Sequence, residues 1–227
     1  YGLAPGNFTL ANYMELFTTD RSLNAIGNSL FLVVSSACIC SVLGTLAVLA
    51  VRRSKGRLGK IVEGVSMLPE MLPAIVLVIG IMLFWNAIYK VIPLYNTMGI
   101  MVLAYVVLYL PYTVQYVTSS FTQINDSLLQ AGRTFGGSPF YVFRRVTLPM
   151  ISKGVLAGWM MIFIIAFREL VTASLIAPPN VLVVSTYINR EFEQGSVSPG
   201  MAMAVLCVLI TTTALLIMNT VTEREKK

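Results

Sequence analysis

Residues 127–149 read SLLQAGRTFGGSPFYVFRRVTLP and lie between two long apolar runs. Ser127 followed three positions later by Gln130 is a capping-box pattern that opens a helix. Gly136-Gly137 supplies the left-handed positions that stop it. Ser138 then caps a second helix with Pro139 at its first position, where a missing N–H costs nothing. A proline pushes the residue before it out of the helical region, so this second helix is expected to end before Pro149. Arg133, Arg144 and Arg145 make the unit basic. The stretch is a helix–glycine–helix hairpin, too polar to cross a membrane.

The composition tells what kind of chain surrounds it. Of 227 residues, 56% are hydrophobic and 11% charged. A soluble domain carries about 25% charged residues, so this is an integral membrane protein. The net charge of +6 points to loops against an anionic inner leaflet rather than to nucleic acid. There is no histidine, which excludes the usual zinc hydrolases and Ser-His or Cys-His triads. Cys38, Cys40 and Cys207 all sit inside apolar runs and read as small packing residues, with no disulfide framework implied. The chain does not open on Met. Tyr1 to Asp20 reads as the interior of a longer protein or a processed start.

Five spans follow from the apolar runs. Residues 1–23 form a water-facing lead-in, with Pro5-Gly6 as a turn and Thr9 capping a short amphipathic helix through Tyr13, Leu16 and Phe17. The first span is expected over 24–51 and ends in Arg52, Arg53, Lys55, Arg57 and Lys60. That cluster fixes its side as cytoplasmic and leaves the N-terminus outside. The second span, 61–88, contains Pro69 and Pro73. It is expected to be kinked or broken there and turned to the bundle interior, where freed carbonyls find partners. The third, 98–120, carries Pro111 and returns the chain to the cytoplasmic hairpin. The fourth runs over 154–176 and stops at Pro178-Pro179. The mixed segment VLVVSTYINREFEQGSVSP after it reads as an outer piece dipping back against the bundle. The fifth, 200–221, ends in the cytoplasmic tail 223–227. The inner segments so defined hold Arg52, Arg53, Lys55, Arg57, Lys60, Arg133, Arg144, Arg145, Lys153, Arg224, Lys226 and Lys227, which is 12 of the 16 Lys and Arg. The outer ones hold only Arg21, Lys90 and Arg190. The fold class is all-α, with a transmembrane domain over 24–222 and a cytoplasmic loop over 121–153.

Three ionisable residues fall inside spans: Glu70, Arg168 and Glu169. A charge at a helix centre costs about 2.5–3.5 kcal/mol on insertion scales, so such a residue faces a partner or water. At 1.5 Å per residue, Glu70 lies about 13 Å and Arg168 about 21 Å along their spans from the inner ends. Two readings stand: the groups line a pathway for a polar solute or gate it, or they are structural, as a Glu70–Arg168 ion pair or as Arg168 snorkelling outward. Tyr105, Tyr109, Tyr112 and Tyr116 recur at helical spacing and either pack or line the pathway. Gly27, Gly44, Gly80 and Gly158 read as close-packing points between helices.

The hairpin resembles the EAA loop of ABC importer permeases. That pattern is Glu-Ala-Ala, three residues, Gly, nine residues, Ile, one residue, Leu-Pro. Here Gln130-Ala131-Gly132, Gly136, Val146, Leu148 and Pro149 stand in the same register, with Gln130, Gly132 and Val146 as departures. The run FRELVTASLIAPPNVLVVSTYI further resembles iron(III)-type permeases, relatives of the spermidine/putrescine, thiamine and phosphonate permeases. The resemblance implies a type I importer core of about five spans in a bacterial-type inner membrane. It implies no cofactor and no enzymatic activity in this chain, in keeping with the lack of a Walker motif. As partners it implies ABC ATPase subunits docking on residues 127–149, an extracytoplasmic solute-binding protein, and a second permease half on the same chain or a second copy. Iron(III) or a related small polar solute is the expected cargo. Two other classes remain open: a secondary transporter or channel using Glu70 and Arg168, and a membrane-embedded enzyme, which lacks a clustered acid, base and nucleophile set.

Overall fold

A computed structural model of the chain describes residues 9–53, 57–124, 127, 128, 130, 134–195 and 197–224. The Pro5-Gly6 turn, Lys55, Ala131, Gly132, Arg133, Lys226 and Lys227 lie outside the described residues. Among the described residues the elements are all helical. In chain order they are α1 (Ala11–Thr18), α2 (Asp20–Arg53), α3 (Arg57–Met71), α4 (Ala74–Ala87), α5 (Met98–Thr122), α6 (Pro139–Val142), a π-helical turn (Phe143–Thr147), α7 (Leu148–Ala166), α8 (Val171–Ile176), α9 (Val184–Glu193) and α10 (Val197–Arg224). The residues described between α5 and α6 at 127, 128, 130 and 134 are helical.

The bundle is built on α5. Its buried residues, among them Ile100, Ala104, Tyr105, Val114, Val117 and Phe121, recur on more than one side. They pack chiefly against α2 and α7. Small residues allow the approach. A Cβ at Gly44 would stand 2.7 Å from Thr113 Cγ2, and one at Gly158 would stand 3.1 Å from the Thr113 backbone. At Gly154 it would meet the Tyr116 carbonyl at 2.7 Å and the Ser120 side chain. Nothing lies within 4 Å of a Cβ at Gly27 or Gly80, so those two are not the close-packing points expected. Pro111 sits within α5 without ending it. Of the tyrosine stripe, Tyr105 and Tyr109 are buried in the core, whereas Tyr116 is exposed.

Helices long and apolar enough to cross a membrane cover Asp20–Arg52, Met98–Thr122, Pro139–Ala166 and Val197–Ile217. A fifth candidate is bent: Gly59–Met71 and Ala74–Ala87 meet at 109°. The break falls at Leu72-Pro73, where Pro73 is extended at φ −57°, ψ 131°. The expected break in the second span is present, and it is an elbow rather than a kink.

Two expectations fail. The helix begun at Pro139 does not end before Pro149; it continues as one 28-residue run to Ala166. A proline in a regular helix drives its ring into the carbonyl four residues back. Here the π turn intervenes, with the Leu148 amide donating to the Phe143 carbonyl five residues back. The widened turn gives the ring room, and Pro149 sits in the first turn of α7, where no N–H is needed. The fourth span is likewise not one helix over 154–176. α7 stops at Ala166, residues 167–170 are non-helical, and α8 restarts at Val171. The cause is lateral. The Glu169 carbonyl accepts hydrogen bonds from Tyr105 Oη at 3.4 Å and Ser185 Oγ at 2.7 Å, and its side chain caps the next helix. Neighbouring hydroxyls thus take a carbonyl that the helical ladder would otherwise use.

The segment after Pro179 does pack back on the bundle. It forms α9, whose Val184, Ser185, Tyr187 and Glu191 are buried against α2 and α10. The outer faces are apolar: Phe31, Val42 and Leu46 on α2, Leu83 and Phe84 on α4, and Val208, Leu216 and Ile217 on α10 are all exposed. Such surface belongs against lipid or protein, not water.

Candidate functional site

The hairpin between α5 and α7 turns at Gly136, where φ is +80°. L-residues pay for that region, which is why glycine stands there. The Gln130 carbonyl accepts from Thr134 Oγ1 at 3.0 Å. Ser138 caps α6 as its sequence requires, with Oγ accepting from the Tyr141 amide at 3.2 Å. Val146 lies in the π turn, and Leu148 and Pro149 are exposed at the base of α7. Ala131 and Gly132 belong to the residues not described, so the motif is placed at Gln130, Gly136, Val146, Leu148 and Pro149.

Sequence reasoning missed the feature that stands out on this surface. Phe135 is 92% exposed, Phe140 70% and Tyr141 58%, and exposed Arg144 and Arg145 follow. Three bare aromatics flanking one glycine turn, next to two guanidiniums, have the composition of an interface anchor. The signal was present: they are large apolar residues in a short polar hairpin with no core of its own.

The three intramembrane ionisable residues sit at the two helix breaks. Glu70 lies at the end of α3, two residues before the elbow. It is exposed, and its carboxylate accepts a hydrogen bond from Gln115 Nε2 on α5. Arg168 and Glu169 occupy the α7–α8 break. Glu169 is half-buried and fully engaged: Oε2 accepts from Tyr109 Oη at 3.1 Å, and Oε1 accepts from the Thr172 amide at 3.1 Å and Thr172 Oγ1 at 3.3 Å. A carboxylate at the first turn of α8 also favours the positive helix end. Arg168 points elsewhere, as adjacent positions must, into a cavity of about 280 Å³ shared with α9 and α10. Glu70 and Arg168 do not pair. Among the described residues the one ion pair is Arg21–Glu191 at 3.4 Å, which ties the start of α2 to α9.

The breaks are neighbours through their second halves, since α4 packs against α8. Interrupted backbone at membrane depth is tolerated where it is buried in protein or lines a cavity; the α7–α8 break lines one, whereas the elbow is exposed at Met71, Leu72 and Pro73 and is not turned to the bundle interior as expected. No group of His, Cys, Asp or Glu among the described residues could hold a metal ion. The cysteines are free, and Cys38 accepts from Trp159 Nε1 at 3.3 Å.

Residues 41–227 match the family described as "Binding-protein-dependent transport system inner membrane component". Among curated proteins, the chain is similar to the Fe(3+)-transport system permease protein FbpB 2 of Haemophilus influenzae, at 29% identity over 148 residues, which are 65% of this chain and 29% of that protein. The match therefore spans less than a third of that relative's length. The chain is also similar to the spermidine/putrescine transport system permease protein PotC of Escherichia coli (strain K12), at 24% identity over 226 residues, covering 100% of this chain and 84% of PotC. Among solved structures, it shares its fold with a chain of a bacterial alginate ABC transporter in complex with alginate pentasaccharide-bound periplasmic protein, at TM-score 0.77 and 17% identity, covering 98% of this chain and 85% of that chain.

Proposed function

This chain belongs to the family of binding-protein-dependent transport system inner membrane components, the permeases of ABC importers, and on that premise we propose that it forms part of a solute pathway driven by a separate ATPase docked on residues 127–149. Partners of three kinds complete the machine: ATPase subunits on the cytoplasmic side, a solute-binding protein on the outer side, and a second permease half. The N-terminus of the described chain faces out and the C-terminus faces the cytoplasm. Closure of the ATPase dimer on ATP pushes the hairpin as a rigid knob, and the π turn passes that push directly into α7. The broken halves, α4 and α8, are the elements that rearrange. Glu70, Arg168 and Glu169 serve at the pathway or its gate. The cargo is a small polar solute, with iron(III) as the first candidate. The FRELVTASLIAPPN resemblance and the FbpB 2 similarity support iron; the PotC similarity covers more of this chain and keeps a polyamine in view.

The observation that carries this reading is the exposed aromatic hairpin turning on Gly136 in the register of the EAA loop. The test is purification of the native complex in mild detergent, wild type beside Gly136→Val. A β-branched residue is a genuine outlier at positive φ, whereas Asn or Asp is partly tolerated there. A Walker-motif ATPase is expected to co-purify with wild type and to be lost from the variant, while Gly136→Asn retains it in part. A folded membrane protein that brings down no ATPase in any form refutes the reading and turns attention to uptake driven by an ion gradient.

A further inference from the structure

We propose that the cavity bounded by the α7–α8 break, α9 and α10 is a binding station for a small oxyanion, a carboxylate or phosphate group held by the Arg168 guanidinium. The permease reading enters only in placing this station on the solute pathway. The cavity holds about 280 Å³, which at ~30 Å³ per water is about nine waters, room for a solute the size of citrate. Cys207, on its wall, lies ten residues into α10, about 15 Å from the Val197 end at 1.5 Å per residue.

Charge decides the ligand class. Arg168 is the one charged residue lining the cavity. Among the described residues nothing accepts a hydrogen bond from it or pairs with it. Every carboxylate nearby is committed elsewhere. Glu169 is held by Tyr109 and Thr172, and Glu191 by Arg21. Glu193, exposed and outside the wall, takes one N–H of Asn189 at 2.8 Å. Ser185 donates to the Glu169 carbonyl. The donors left facing the cavity are therefore the guanidinium fork and the second amide hydrogen of Asn189. The fork matches a carboxylate or phosphate two oxygens at a time. The first turn of α9, at Val184 and Ser185, lines the same space and adds its positive end. The remaining walls, Leu170, Ile188 and Phe192, are apolar and screen the charge less than water would. A bare metal cation or a polyamine would meet an uncompensated positive charge here. Iron passing this station travels as a negatively charged chelate.

Cys207 on the wall permits a direct test. In the full chain within its native complex, Cys38→Ser and Cys40→Ala leave Cys207 as the one thiol of these 227 residues, and its labelling is read on the peptide that contains it. Its modification is followed with methanethiosulfonates of opposite charge, sulfonatoethyl and trimethylammonioethyl, each forming a disulfide with the thiol and releasing sulfinate. The anionic reagent is expected to react faster on the order of tenfold, the lower end of charge focusing in clefts. Arg168→Gln brings the two rates together, and Arg168→Lys keeps the preference. Citrate and inorganic phosphate slow modification when Arg168 is present and not in Arg168→Gln. Equal rates, a faster cationic reagent, or a thiol that neither reagent reaches would each overturn the site. ATPase co-purification from the same preparation reports separately on the permease reading, so either conclusion can fall while the other stands.

Discussion

At Gly154 the methylene of any larger residue has nowhere to go. A Cβ would press on the Tyr116 carbonyl at 2.7 Å, and that carbonyl belongs to the α5 backbone, which cannot swing aside as a side-chain tip does. Overpacking of this kind costs about 1–3 kcal/mol. Gly154→Ala should therefore lower the unfolding midpoint in detergent. Gly27→Ala, with open space around its Cβ, should leave the midpoint unchanged or raise it slightly, because alanine is the better helix former by about 1 kcal/mol. Equal effects at the two sites would contradict the packing of α5 on α7. The expectation of close contacts at Gly27, Gly44, Gly80 and Gly158 holds for Gly44 and Gly158. It misses Gly154, since a sequence displays the small residue but not the face it presents. The same limit applies to Arg168 and Glu169. Their adjacency implied divergent directions, and the structure gives one to a cavity and the other to Tyr109.

The broken helices carry the next level of organisation. Pro73 announces its elbow in the sequence, because a ring without an N–H interrupts the ladder wherever it stands. The α7–α8 break carries no such mark: FRELV contains neither glycine nor proline. Its cause is tertiary, with hydroxyls from α5 and α9 bonding the Glu169 carbonyl, and no local pattern reports that. Pro149 is the converse case, a strong local stop signal overridden by one π turn. If Glu169 holds the break, Glu169→Ala leaves Tyr109 Oη and the Thr172 amide without their acceptor, at about 1–3 kcal/mol. Glu169→Gln keeps one acceptor oxygen and should lose less. Tyr109→Phe combined with Glu169→Ala should cost less than the sum of the two, with a coupling of about 0.5–3 kcal/mol for residues in contact. Strict additivity in the unfolding midpoints would show that the hydrogen bond at 3.1 Å does not stabilise the break.

Across the whole molecule the charges sort the two sides of the membrane. Residues 52–60, 133–153 and 224–227 together carry 12 of the 16 Lys and Arg. Basic residues near span ends are retained on the cytoplasmic side. That count assigns a side only if the chain crosses an odd number of times between its ends. Four straight candidates alone would bring both ends to one face, and the 109° pair decides the parity. On the five-span reading the α3–α4 unit crosses despite its elbow, with α4 packed against α8 past the break. Single-cysteine substitutions at Thr19 and Thr134, introduced into a chain cleared of Cys38, Cys40 and Cys207, separate the possibilities. An impermeant thiol reagent added to intact spheroplasts is expected to modify position 19 at once and position 134 only after permeabilisation. Lys90, in the turn after α4, serves as the internal check: its cysteine variant should behave like position 19 if the elbow is a crossing. If position 19 instead behaves like position 134, with position 90 opposite to both, α3–α4 is a re-entrant loop, the crossing number is four, and the N-terminal end of the described chain lies on the same side as its C-terminal end.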